Sequence, residues 1–192
     1  VFCSPAAHPK AIFESPRLQV MPDLYPLVPG HVLVTSKEHL PCLGAADAAT
    51  MAELDEVVPE ATAFVRDAYG VEPVGWENGV VGQTVFHAHL HLIPVDIHGG
   101  MLDELVADEA SVEIHDWEAV AAHFREAGQY HYIKVHNRAW LVEGNGAMNW
   151  EGRRRLAIAA GLAPGGNLLK RPQGDADIAE LAARYRGWAG SR

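Results

Sequence analysis

Three histidines, His87, His89 and His91, occupy every second position of the apolar run GQTVFHAHLHLIP. The run begins at Gly82 and ends at Pro94, and its length and composition predict a buried strand over residues 82–94. Successive side chains on a strand point to opposite faces. The three imidazoles would then line one face, with Val85, Phe86, Ala88, Leu90 and Leu92 supplying apolar surroundings. Each ring has two nitrogens that need partners, so three buried together cost stability unless they bind something or are fully paired. Two chemistries fit. Alternate histidines can converge on zinc or copper and leave an open position for catalysis. Alternatively, one neutral imidazole attacks phosphorus, using a lone pair that needs no prior deprotonation. The residues ahead of the triad favour the second reading. Gly82, Gln83 and Thr84 offer flexible backbone, an amide and a hydroxyl, all suited to phosphate oxygens and unneeded at a metal site.

Composition limits what this site serves. The chain has 192 residues, 48% of them hydrophobic, enough for one core or one core plus a small lobe. Fifteen basic against twenty-five acidic residues give a net charge of -10, which repels a nucleic-acid backbone. A small anionic ligand remains compatible with a locally positive site. No apolar run approaches the roughly 18 residues of a membrane span, and no charged-then-apolar leader opens the sequence. The expectation is a soluble protein with neither nucleic acid nor membrane as partner. Cys3 and Cys42 are too few for a disulfide framework and fit a reducing cytoplasm.

The elements that must position the triad are read from period and punctuation. KAIFESPRLQVMPD predicts a short strand, a turn at Ser15-Pro16 and a second strand entering the proline-rich loop LYPLVPG. HVLVTSK and EPVGWEN read as further strands. A helix over residues 47–69 follows from Leu54, Val57, Val58, Ala61, Phe64, Val65 and Ala68 at helical spacing, with a kink expected at Pro59. Short connections favour an antiparallel sheet with the helix on one face, an α+β fold. Beyond residue 100, MLDELVADEASVEIHD reads as an acidic connector. Asp116 caps a helix reaching Ala127 and ended by Gly128. YHYIKV and AWLVE read as a hairpin, RRRLAIAAGL and DIAELAARYRGW as two helices. The division is therefore residues 1–98 and an extension, 99–192, packed on them. Trp140, Trp150 and Trp188 read as core. Arg153, Arg154 and Arg155 read as a solvated helix face, with the phosphate chain as the alternative partner.

HAHLHLI, GQTV and MPDLYPLVPGHVLVTSKEH, three elements in order, resemble the histidine triad (HIT) family of nucleotide hydrolases and transferases. The family is named for His-φ-His-φ-His-φ-φ, where φ is apolar. Asp23, Pro29, Gly30 and His31 stand where such members place them. The resemblance implies that His89 attacks the α-phosphorus to give a nucleotidyl-imidazole, which water then hydrolyses to a nucleoside monophosphate. It implies that His91 binds phosphate oxygens, that Gln83 serves the leaving-group side and the incoming water, and that His87 braces the site. Gly82 and Thr84 would form the phosphate loop, Asp23 would bind the ribose hydroxyls, and Met21 and Leu24 would pack on the base. Asn78 matches the family asparagine before that loop, although GVVG is about one residue shorter than the usual connection. PVDIHGG lacks the basic residue that many relatives carry after the triad. No cofactor is required by this chemistry. A structural zinc is implied through Cys3, His39 and His87. A homodimer with joined sheets is implied as well.

The function expected is hydrolysis of a nucleoside phosphoramidate, dinucleoside polyphosphate or related conjugate. The complete triad favours hydrolases over relatives that carry Gln at the third position. A nucleotidyltransferase or phosphorylase using the same intermediate is the alternative, and a nucleotide-binding protein with little turnover is the other.

Overall fold

In a computed structural model describing residues 11–97, 111–143, 161 and 174–191, eight strands assemble into one antiparallel sheet. They are β1 (Phe13–Glu14), β2 (Leu18–Pro22), β3 (Val32–Ser36), β4 (Val74–Gly79), β5 (His89–Ile93), β6 (Ser111–Ile114), β7 (Tyr130–Val135) and β8 (Arg138–Val142). Their order across the sheet is β1-β2-β3-β5-β4-β7-β8-β6. The helices are α1 (Ala48–Tyr69), α2 (Trp117–Ala127) and α3 (Asp175–Ala189). None of the helices searched among the described residues is long and apolar enough to cross a membrane.

Local chemistry explains the helix ends. The Asp47 carboxylate accepts the Thr50 amide at the start of α1, and Gly70 closes it with φ 75°, a left-handed conformation that glycine adopts without steric cost. Asp116 and Gly128 do the same for α2, as the sequence predicts. α1 continues through Pro59.

Both sheet faces are buried. Val20, Val34, Leu90, Leu92 and Leu141 pack in one core with Leu54, Val58, Phe64 and Val65 of α1, Val120 of α2, and Leu181 and Tyr185 of α3. Trp76, Ile93, Ile133, Trp140 and Val142 form a second cluster with Leu27 and Val95. Alternation on the strands separates the two sets.

Two expectations need correction. The triad strand is shorter than residues 82–94: β5 begins at His89, His87 lies in the preceding turn, and Phe86 is 68% exposed instead of packed. The acidic connector contains a strand, β6, because its alternating SVEI run pairs with β8. Cys3, Trp150, Arg153, Arg154, Arg155 and all but Gly161 of RRRLAIAAGL lie outside the described residues. Trp140 is in the second core, as expected, and Trp188 is half-buried against the first.

The extension is part of the same sheet. β7 covers the edge of β4, with Gly75 opposite Lys134, Asn78 opposite His131 and Gly79 opposite Tyr130. Any joining of sheets between two copies would therefore use an outer strand, β1 or β6.

Candidate active site

Strand register brings the site residues into rows. One row runs Met21, Leu33, His91, Trp76, Ile133 and Trp140 across six strands. The next contains Gln19, Thr35 and His89 on one side, and Asn78 and His131 on the other. His89 and His91 are buried on this face, with ring centroids 4.9 Å apart.

His89 has one available tautomer. Its Nδ1 lies 2.6 Å from the His87 carbonyl oxygen. A carbonyl only accepts, so Nδ1 carries the proton and Nε2 the lone pair. Burial pushes the imidazole pKa down to about 3, and the neighbouring His91 ring pushes in the same direction. The ring is therefore neutral at ordinary pH.

A hydrogen-bond relay determines what His91 offers. The Leu27 amide donates to His31 Nδ1 at 3.2 Å, so the His31 proton resides on Nε2, which lies 2.9 Å from His91 Nδ1. His91 Nδ1 accepts, and the remaining nitrogen, Nε2, carries the N–H. The proline-rich loop thus makes His91 a donor. His31 is the link between that loop and His91.

Asp23 sits beside the relay. Its Oδ1 accepts the Tyr25 amide at 2.8 Å, and its Oδ2 lies 3.5 Å from His31 Nε2 and 3.6 Å from His91 Nδ1. Burial alone would raise its carboxyl, but the two rings and the Tyr25 amide outweigh burial and hold it well below the usual range. It stays ionised. Met21 is buried on the same face and Leu24 is half-buried.

His87 turns to the other side. Its Nε2 lies 2.6 Å from the Ser36 carbonyl oxygen, so Nδ1 holds the lone pair, which faces His39 Nδ1 at 3.3 Å. Two converging imidazole nitrogens fit half of a tetrahedral zinc site. Cys42 does not join them: it is fully buried, beside Glu77 and Tyr130, with its thiol pushed up to about 12 by burial. Asp23, His31 and His91 are a second group whose ligand atoms lie within 4.8 Å of one another. A cation there would displace the proton between the two rings.

Gln83 does less for the substrate than the sequence suggests. Its Nε2 donates to the carbonyl oxygens of Pro41 at 2.8 Å and Asn78 at 2.6 Å. Both amide hydrogens are thereby committed, and its buried Oε1 has no hydrogen-bond partner among the described residues. It offers an acceptor only. Gly82 takes φ 71° and is exposed, as is Thr84. The short GVVG connection contains Val80 at φ 83°, a conformation a β-branched residue adopts only under strain.

Three further residues escaped sequence reasoning. Trp76 Nε1 and His131 Nδ1 lie 2.9 and 3.0 Å from Asn78 Oδ1. Thr35, directly opposite His89, has a fully buried hydroxyl with no partner among the described residues. Such a hydroxyl bears a desolvation cost without return. Thr35→Val is expected to raise stability by about 1 kcal/mol, read as a higher denaturant midpoint at unchanged slope.

Comparison with known proteins bears on the first half of the chain. Residues 5–98 match the HIT domain family. An uncharacterised HIT-like protein of Chlamydia muridarum is 32% identical over 98 residues, covering 49% of this chain and 74% of that protein. A hypothetical histidine triad nucleotide-binding protein of Sulfolobus tokodaii, solved by crystallography, is 31% identical; the match covers 48% of this chain and 66% of that one, with a TM-score of 0.44. The crystal structure of a zinc-bound histidine triad family protein of Mycobacterium smegmatis aligns over 95% of this chain and 89% of its own, at 16% identity and a TM-score of 0.46.

Proposed function

The chain belongs to the HIT family, and from that premise we propose that it is a nucleotidyl hydrolase acting through a covalent nucleotidyl-His89 intermediate. The observation that carries the reading is the 2.6 Å bond from His89 Nδ1 to the His87 carbonyl, which leaves Nε2 as a buried, neutral nucleophile. Nε2 attacks the α-phosphorus; the N–P bond forms as the bond to the leaving group breaks. The leaving group departs with its electron pair and takes a proton from solvent. His91 Nε2–H donates to a non-bridging oxygen and stabilises the charge that develops there. Water then attacks the same phosphorus and gives up a proton to solvent, the N–P bond breaks, and nucleoside monophosphate leaves with the His89 lone pair restored. Gln83 lies in the loop before the triad, on the side assigned to the incoming water. Asp23 binds the ribose hydroxyls, and Met21 and Leu24 pack against the base. Asn78, Gly82 and Thr84 surround the phosphate. No metal is needed for these steps; if zinc binds, His39 and His87 hold it.

Chromatographic measurement of nucleoside monophosphate release from adenosine phosphoramidate, diadenosine polyphosphates and nucleotide sugars tests the reading. Release from the first or second substrate class, undiminished when inorganic phosphate is withheld, is expected. Turnover that requires phosphate identifies a phosphorylase instead, and absence of release from all three sinks the enzyme reading. The homodimer is proposed through an outer strand, and sedimentation of the full chain checks it.

A further inference from the structure

Outside the family match at residues 5–98, the extension contributes one fully buried imidazole to the catalytic face, His131 on β7. Its partner is unambiguous. Trp76 Nε1 is solely a donor, so the Asn78 atom 2.9 Å from it is the oxygen, Oδ1. That assignment removes the usual doubt over which way an amide points. His131 Nδ1, 3.0 Å from the same oxygen, must then carry its proton and donate as well. Two donors from two strands therefore clamp Oδ1. The amide is planar, so Nδ2 on its other side is held in one orientation.

Where that orientation matters follows from register. β4 and β5 pair with Val74 opposite Ile93 and Trp76 opposite His91; Asn78, two residues beyond Trp76, and His89, two residues before His91, lie on the same side of that row. His131, opposite Asn78 on the next strand, lies two strand spacings from the nucleophile, roughly 10 Å. The Asn78 carbonyl also accepts Gln83 Nε2, which links the same residue to the loop before the triad. We propose that His131 is a positioning residue: with Trp76 it clamps the Asn78 amide so that Nδ2 donates to the phosphoryl group in the transition state. The extension is then part of the catalytic apparatus, because the HIT region supplies only one of the two clamping donors. The proposal rests on the hydrolase reading for the role of Asn78.

The test uses the full chain and the variants His131→Ala, His131→Asn, Asn78→Ala and the double variant. Removing one hydrogen bond to a group that acts in the transition state lowers kcat about tenfold, with KM within about twofold. His131→Asn places an amide N–H near the imidazole Nδ1 position and restores most of kcat. In the Asn78→Ala background, His131→Ala changes nothing further, because the two residues act as one unit. Unchanged kcat in His131→Ala, or effects that multiply in the double variant, would overturn the proposal. A second readout needs no turnover. Exchange of the Asn78 side-chain amide protons with solvent, followed by nitrogen-15 NMR, rises about tenfold or more in His131→Ala. If no nucleotide is turned over, the hydrolase reading fails. The exchange rates then decide the clamp separately: faster exchange supports it and equal rates refute it.

Discussion

His89→Ala is expected to lower release of nucleoside monophosphate by at least about 10³-fold while the protein keeps its fold. His89 Nδ1 donates to the His87 carbonyl, and truncation to alanine leaves the backbone pairing of His89 with Thr35 in place. The chemical loss is much larger. His91 is turned by the Leu27–His31 relay to present a donor, so it has no lone pair on the nitrogen facing the reaction and cannot take over as nucleophile. His87 is held by Ser36 and faces His39. Neither of these two imidazoles can substitute. Retained turnover in a folded His89→Ala protein would remove the nucleophile from the mechanism.

Glu77→Ala is expected to destabilise the fold by about 3 kcal/mol. Glu77 is fully buried on the helix face of β4. Its Oε1 accepts the Leu43 amide at 2.7 Å, and its Oε2 accepts the Tyr130 hydroxyl, also at 2.7 Å. Tyr130 in turn accepts the Gly44 amide at 2.9 Å. Truncation strands the Leu43 amide and the Tyr130 hydroxyl and opens a cavity. The pH dependence is equally specific. Burial raises the Glu77 carboxyl to about 7, against the opposing pull of the Tyr130 and Leu43 hydrogen bonds. Between pH 4.5 and 7 the folded state keeps a proton that the unfolded state has lost, so stability falls as pH rises through that window and levels off above it. Relative to Glu77→Gln, the wild type should lose stability on the order of 3 kcal/mol from pH 4.5 to 7.5. Parallel denaturant midpoints for the two proteins across this range would refute the assignment.

Much of the site is legible in the chain because its signals are local. Alternation in HAHLHLI places His89 and His91 on one face, and Asp116 with Gly128 bounds α2 at the predicted residues. What the sequence does not carry is which strand lies beside which. YHYIKV reads as half of a hairpin, and so it is, with β8. Its other edge pairs with β4 across more than fifty residues of chain, and no periodicity encodes that partner. His131 and Tyr130 therefore looked like ordinary strand residues, although an imidazole between two tyrosines in a buried run was a usable signal. The triad strand begins later than its alternation predicts for a related reason. Val85 and Phe86 fit the alternation, but the chain turns at Val85–His87, and a short turn without glycine or proline leaves no mark in composition. Gln83 reads from sequence as a hydrogen-bond donor in the loop before the triad. Its donor capacity is spent on Pro41 and Asn78, a fact that depends on two backbone carbonyls from other segments.

The stereochemistry of hydrolysis at phosphorus tests the covalent route most directly. A nucleotidyl substrate made chiral at the α-phosphorus by sulfur substitution is hydrolysed in oxygen-18 water, and the configuration of the product is read by phosphorus-31 NMR. Attack by His89 and then by water are two in-line displacements, each inverting the centre, so the account predicts net retention. Net inversion would mean that water attacks the substrate in a single step, and the nucleotidyl-His89 intermediate would be excluded.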